Sequence, residues 1–183
     1  IYGESESKDR YYEAIESLRT KVDDYYFDVV IVCNVLHEIE HTKWCSIFRS
    51  IYSLLQDGGY LLIIEDCRIP IGELPHQNGF IVLNTLHLKK LFGIPAGESR
   101  FVAHDARFDS VEERGRLMAH LIPKEYLNQV SIDTIKASIN ELRNTAIAEI
   151  GKIRGAAASY SKGLAHAFWV HQLANASLVL EEM

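Results

Sequence analysis

The chain has 183 residues, 48% of them hydrophobic and 24% charged, with a formal net charge of −6. That composition belongs to a globular protein long enough to bury a sizeable core. The negative balance gives no broad attraction for nucleic acid or an anionic membrane, and no apolar run approaches the roughly 18 residues that a membrane span needs. Residues 1–130 hold 14 basic and 20 acidic side chains and residues 131–183 hold five of each, so the acidic surplus lies in the first part. Cys33, Cys45 and Cys67 form no CxxC pair and are odd in number, a usage that points to reduced thiols and a cytoplasmic setting. No signal peptide is visible. The chain begins with Ile1 rather than Met, which raises the expectation of a piece of a longer protein.

In chain order, Ser7 is a candidate N-cap, and Tyr11, Ile15, Leu18 and Val22 recur at helical spacing, predicting an amphipathic helix to about Lys21. Phe27 to Val32 is apolar and β-branched after Asp28, the pattern of a strand buried on both faces. Thr42 is placed to cap a second helix whose apolar face is Trp44, Ile47, Phe48, Ile51, Leu54 and Leu55. Asp57-Gly58-Gly59 is read as its stop, and Tyr60 to Ile64 as a second buried strand closed by Glu65-Asp66. IPIGELPHQNG, rich in turn formers, reads as a loop over one end of the sheet. Phe80 to Phe92 is expected to be a helix ended by Gly93. Arg100–Arg107 and Arg116–Ile122 read as an antiparallel strand pair, joined by a connection in which Ser110 and Glu113 have capping-box spacing.

From Ser131 the character changes. Ile132, Ile135, Ile139, Leu142, Ala146, Ile150 and Ile153 form one helical stripe, and a break near Gly151 to Gly163 leads to an Ala-rich helix, Leu164 to Leu180. The reading is therefore an α/β unit over residues 1–130, part of a doubly wound sheet, with a helical hairpin extension over 131–183.

NVLHEIEH, Asn34 to His41, contains the His-Glu-x-x-His spacing with which zinc hydrolases hold a metal. That chemistry needs both His37 and His41 on one helical face, with Glu38 as base and a further ligand downstream, for which Glu65 is the candidate. Here the motif directly follows a β-branched strand, and a helix is expected to begin only where the motif ends. The zinc hydrolase is accordingly the third reading. In open α/β sheets ligands bind beyond the carboxyl ends of the strands, and Asn34, His37, Glu38, Glu65 and Asp66 all lie at such ends.

The succession FDVVIVCNVLHEI, an amphipathic helix with Trp44, then LLQDGGYLLIIED, resembles the second half of a class I S-adenosylmethionine-dependent methyltransferase. The resemblance covers about residues 8–125. It implies a Rossmann-like sheet of which this chain supplies strands 4-5-7-6, and S-adenosylmethionine as methyl donor for the intact protein. Asn34, Val35 and Leu36 would contact the donor. The family's glycine-rich loop and the acid that holds the ribose have no counterpart in the sequence, so the chain is expected to be a fragment inactive by itself.

Methyl transfer from a sulfonium is an in-line displacement in which alignment is the major contribution. A neutral acceptor must also lose a proton, and His37 is the candidate base, since an unperturbed imidazole titrates at about 6.5. Glu38 is the candidate to orient it or to bind a substrate amine. Glu65, Asp66, and Glu73 and His76 in the loop are candidates for the acceptor side. Each has a bland reading as well: His37 as a satisfied buried histidine, Glu38 as a first-turn acid, and Glu73 and His76 as loop surface. His166 and His171, five apart, do not share a helical face. The second reading of function is a non-catalytic association module. A strand 27–32 left at the sheet edge would be a template for pairing. The expected partner is a second copy, joined through that edge or the C-terminal helices, unless those helices cover the edge themselves.

Overall fold

A computed structural model of the chain describes residues 15–66, 80–105 and 117–183. Four strands, β1 (Phe27–Cys33), β2 (Leu55–Asp66), β3 (Val102–Asp105) and β4 (Leu117–Pro123), form one sheet in the order β1-β2-β4-β3. β1 and β2 are parallel. β4 is antiparallel to both of its neighbours. The helices are α1 (Ile15–Arg19), α2 (His41–Leu54), α3 (Thr85–Leu91), α4 (Ile132–Arg154) and α5 (Tyr160–Glu182). The α/β class, the mixed sheet and the C-terminal helical pair are as the sequence suggests. The start of the first helix and the Ser110–Glu113 pair lie outside the described residues.

One sheet face is the core face. Side chains alternate along a strand, and Leu61, Ile63 and Glu65 of β2 and Met118, His120 and Ile122 of β4 all point to it and are buried. Trp44, Phe48 and Ile51 of α2 pack there with Leu88 and Leu91 of α3 and with Ile135, Ile139 and Leu142 of α4. The core thus runs without interruption from the sheet into the hairpin. On the opposite face Val29 and Ile31 of β1, Val102 of β3 and Leu117 of β4 remain exposed, Ile31 by 60%. β1 is therefore not buried on both faces as its run of apolar residues suggests: it lies at the edge of the sheet and only one of its faces meets the core. The C-terminal helices do not cover that side of β1. They pack on each other, and α4 packs on α3.

Four local expectations are corrected. The Gly-Gly pair does not stop α2. The helix ends at Leu54 because Leu55 is already extended and pairs with Phe27. Phe27 faces Leu55 while Val29 faces Tyr60, so Gln56 to Gly59 form an irregularity inside β2. Gly58 there has φ +78°, and a Cβ on Gly59 would meet the Gln56 carbonyl oxygen at 2.8 Å and that of Asp28 at 3.0 Å. Thr42 lies inside α2, since Glu40 is the last non-helical residue, and its hydroxyl donates to the Glu40 carboxylate at 3.5 Å. α3 starts at Thr85, not Phe80, because Asn84 caps it: Asn84 Oδ1 accepts the His87 amide at 3.0 Å and His87 Nδ1 accepts the Asn84 amide at 3.1 Å. α5 starts four residues before Leu164, at Tyr160, capped by Ser159, whose Oγ accepts the Lys162 amide at 3.3 Å.

Candidate functional site at the carboxyl ends of β1 and β2

Because β1 and β2 are parallel, their carboxyl ends reach the same edge of the sheet. The Asn34 amide continues the ladder, donating to the Ile64 carbonyl at 2.8 Å. Asn34 then takes φ +50°, a left-handed conformation that Asn tolerates better than most residues. The reversal breaks the strand and starts the 3-10 turn Leu36–Glu38. The Asn34 side chain fixes the turn to the neighbouring strand, its Oδ1 accepting the Asp66 amide at 3.0 Å.

Glu65 is the centre of the arrangement. It is only 3% exposed, and its Oε1 accepts the amides of Val35 at 3.1 Å and Leu36 at 2.7 Å. Its Oε2 faces His37 Nδ1 at 2.5 Å. A carboxylate out of water must be paired and hydrogen-bonded, and here two amides and an imidazole N–H perform that task. With Nδ1 donating to the carboxylate, the lone pair of the neutral ring resides on Nε2. Nε2 lies 3.9 Å from Glu38 Oε1, and the Glu38 side chain is well exposed.

Phe80 is a further contact of His37. Phe80 donates its amide to the His37 carbonyl at 2.6 Å, and its ring centroid is 5.4 Å from that of His37. Phe80 has φ +67°, a conformation that costs about 1–2 kcal/mol for a residue with a Cβ. Gln172 of α5 maintains it. This fully buried side chain donates from Nε2 to the Phe80 carbonyl at 2.7 Å and accepts the Val82 amide on Oε1 at 2.9 Å. One amide side chain thereby satisfies both groups of an extended segment, as a neighbouring strand would.

Asn34, Val35, Leu36, His37, Glu38, Glu65 and Asp66 therefore meet on one rim. Two of the expected roles change with the geometry. Glu65, expected to face an acceptor, is turned inward on His37, while Glu38, expected to orient the imidazole, stands outside it. Leu36 is buried in the core, and its amide and that of Val35 are taken by Glu65, so these residues would meet a ligand through the exposed Val35 side chain and not through their N–H groups. Glu73 and His76 lie outside the described residues. The His-Glu-x-x-His segment does not form one helical face, since His37 and Glu38 belong to the 3-10 turn and His41 is the first residue of α2. Among the described residues no cluster of three or more His, Cys, Asp or Glu could hold a metal ion.

Sequence reasoning missed Phe80 and Gln172. Gln172 leaves a signal: it stands in Gly163–Leu180, a stretch without Asp, Glu, Lys or Arg, where a buried amide needs a specific partner. Phe80 leaves none, because nothing in its surroundings announces a positive φ at an aromatic residue. No protein-family model matches the chain, and no curated protein matches it.

Proposed function

We propose that this rim is part of an S-adenosylmethionine-dependent methyltransferase site, with His37 as general base and Glu65 as the residue that positions it. The observation that carries the reading is the buried Glu65–His37 pair at the carboxyl ends of two parallel strands. The sheet order β1-β2-β4-β3, with β4 antiparallel to both neighbours, is compatible with the 4-5-7-6 order that the resemblance implies and supports the same reading.

The residues fit a cationic, partly apolar donor. Besides the buried Glu65, the segments Asn34–Glu38 and Glu65–Asp66 bring the carboxylates of Glu38 and Asp66 and no Lys or Arg, and Val35 adds exposed apolar surface. Asn34, Val35 and Glu38 would hold such a donor, which when bound supplies an activated methyl group. The chain's own contribution is proton chemistry and positioning. Glu65 fixes the Nδ1–H tautomer of His37, which makes Nε2 the basic atom of the ring, and it stabilises the imidazolium formed when an acceptor hydroxyl or amine gives up its proton there. Phe80, packed on the ring, restricts water on one side.

The test is a titration of isotope-labelled protein with S-adenosylhomocysteine, followed through the amide signals. Saturable shifts are expected at Asn34–Glu38 and Asp66, and are expected to weaken in Asn34→Ala. No saturable shift at the rim up to millimolar ligand refutes the assignment.

A further inference from the structure

α5 has an unusual distribution of side chains. Its inward face, with Gln172, Ala176 and Val179, is buried against the rest of the molecule. Its outward face is also apolar. Tyr160, Leu164, Ala167, His171, Ala174 and Leu178 form a single exposed line, with Tyr160 80% and Leu178 51% exposed. No Asp, Glu, Lys or Arg occurs from Gly163 to Leu180. A surface helix ordinarily sets charged residues opposite its buried stripe, and a helix that is apolar all round is normally buried all round. No helix among the described residues is long and apolar enough to cross a membrane. The outward face has the character of a covered surface.

The order of large and small side chains along the line fits a second copy of the same helix as the cover. The line's six residues follow one another at intervals of 4, 3, 4, 3 and 4, the seam of a coiled coil. That series reads the same in both directions, so a second α5 laid antiparallel meets every position of the first. In this register Leu164 falls opposite Ala174 of the second copy, His171 opposite Ala167, and Leu178 opposite Tyr160. A large side chain meets a small one in the inner layers, and the absence of charge removes any like-charge conflict. A parallel pair would instead stack His171 on His171 and Ala on Ala, alternating crowded layers with gaps. The seam extends along nearly the whole helix, about 30 Å at 1.5 Å per residue, and a two-fold contact of this kind closes on itself.

We propose that the chain forms a homodimer through an antiparallel α5–α5 contact centred near Trp169. This inference is independent of the methyltransferase reading, and either can fail alone. Sedimentation equilibrium of the full chain is expected to give twice the 20.8 kDa chain mass. Ala174→Glu is expected to weaken the dimer by more than about 100-fold, because the two-fold buries the unpaired charge twice, while the circular dichroism of the exposed-site variant stays unchanged. Contact register is read by disulfide trapping with Cys33, Cys45 and Cys67 replaced by Ser. Leu164→Cys combined with Ala174→Cys is expected to cross-link under oxidation, and neither substitution alone. A monomer at all accessible concentrations overturns the proposal. So does a dimer unaffected by Ala174→Glu, cross-linking by Leu164→Cys alone, or a monomer that floats with phosphatidylcholine vesicles.

Discussion

Glu65→Gln separates charge from shape at the centre of the rim. Glutamine keeps the outline of glutamate, but only one of its two terminal atoms accepts. The amides of Val35 and Leu36 both point at the position of Oε1, at 3.1 and 2.7 Å, so the glutamine oxygen must occupy it. An NH2 group there would face two donors and forfeit two buried hydrogen bonds, each worth about 1–3 kcal/mol. The NH2 group is therefore driven to the other position, 2.5 Å from His37 Nδ1 in the wild type, where it can only donate. The imidazole must respond by moving its proton to Nε2, the atom we propose as base. Stability should fall modestly, by about 1–2 kcal/mol, as a charge-assisted bond becomes neutral. Catalysis should fall far more, since a comparable exchange of carboxylate for amide beside a catalytic imidazole lowers turnover by on the order of 10⁴. The tautomer can be read without any substrate, from the ¹⁵N shifts of the His37 ring nitrogens at a pH where the ring is neutral. Nδ1–H is expected in the wild type and Nε2–H in Glu65→Gln. The same tautomer in both proteins, or Nε2–H already in the wild type, refutes the positioning role assigned to Glu65.

Gln172→Leu keeps volume but leaves the Phe80 carbonyl and the Val82 amide without the side chain that satisfies them; a loss of about 2–5 kcal/mol in urea unfolding is expected, with a shift of the His37 ring signals, and a loss below 1 kcal/mol would contradict the clamp. Gly59→Ala forces a Cβ to within 2.8 Å of a backbone oxygen and should destabilise by about 1–3 kcal/mol, the range for overpacking, whereas Gly163→Ala on α5, with open space at its Cβ, should not. Glu98 is held at a pKa of about 2 by its hydrogen bonds to the Arg100 side chain, to the Tyr126 hydroxyl and to the Arg100 amide, in that order. Its folded value lies below the ordinary 4.5, so the stability it contributes is complete above that value and is lost as the pH falls toward 2. Glu98→Gln should flatten the stability curve in that acid window, and a ¹³C titration of the Glu98 carboxyl with a midpoint near 4.5 would show that the contact does not persist in solution.

The elements with strong periodicity were legible in the sequence. β1 and α2 announce themselves through Val29–Val32 and the Trp44–Leu55 stripe, and the hairpin through its isoleucines. What was not legible are the places where a distant partner decides a local choice. Asp57-Gly58-Gly59 is a good helix stop in isolation, but pairing of Leu55 with Phe27 ends the helix first and leaves the glycines to absorb the extra residues of β2. Phe80–Leu83 reads as the first turn of a helix, yet Asn84 caps the helix behind it and Gln172, some 90 positions later, supplies the partners of an extended segment. The residues of the rim were visible as polar positions at strand ends. Their roles were not, because roles depend on direction: only the fold reveals that Glu65 points inward to His37 and two amides while Glu38 points outward.

Among the described residues, the open sheet face and the outer line of α5 are both apolar and exposed, and they differ in kind. The sheet face with Ile31, Val29, Val102 and Leu117 is broad and belongs to three strands. A two-fold through β1 would lengthen the sheet but would leave that face as open as before, since edge pairing joins backbone groups and covers no side chains on either face. The line on α5 is narrow, spans one rigid element and repeats itself on reversal, so one contact with a second copy buries all of it. Self-association through α5 therefore removes an exposed apolar surface completely, whereas association through β1 satisfies a strand edge and removes none. For the same reason the inward side of α5 is not free to rearrange. Gln172, beside His171 of the seam, is committed to Phe80 and Val82, and through Phe80 to the His37 turn. A helix held on its inner side by two buried hydrogen bonds presents its outer residues in a fixed rotation about its axis. That fixed rotation is what a two-fold seam requires, and it ties the outer face of α5 mechanically to the rim at His37.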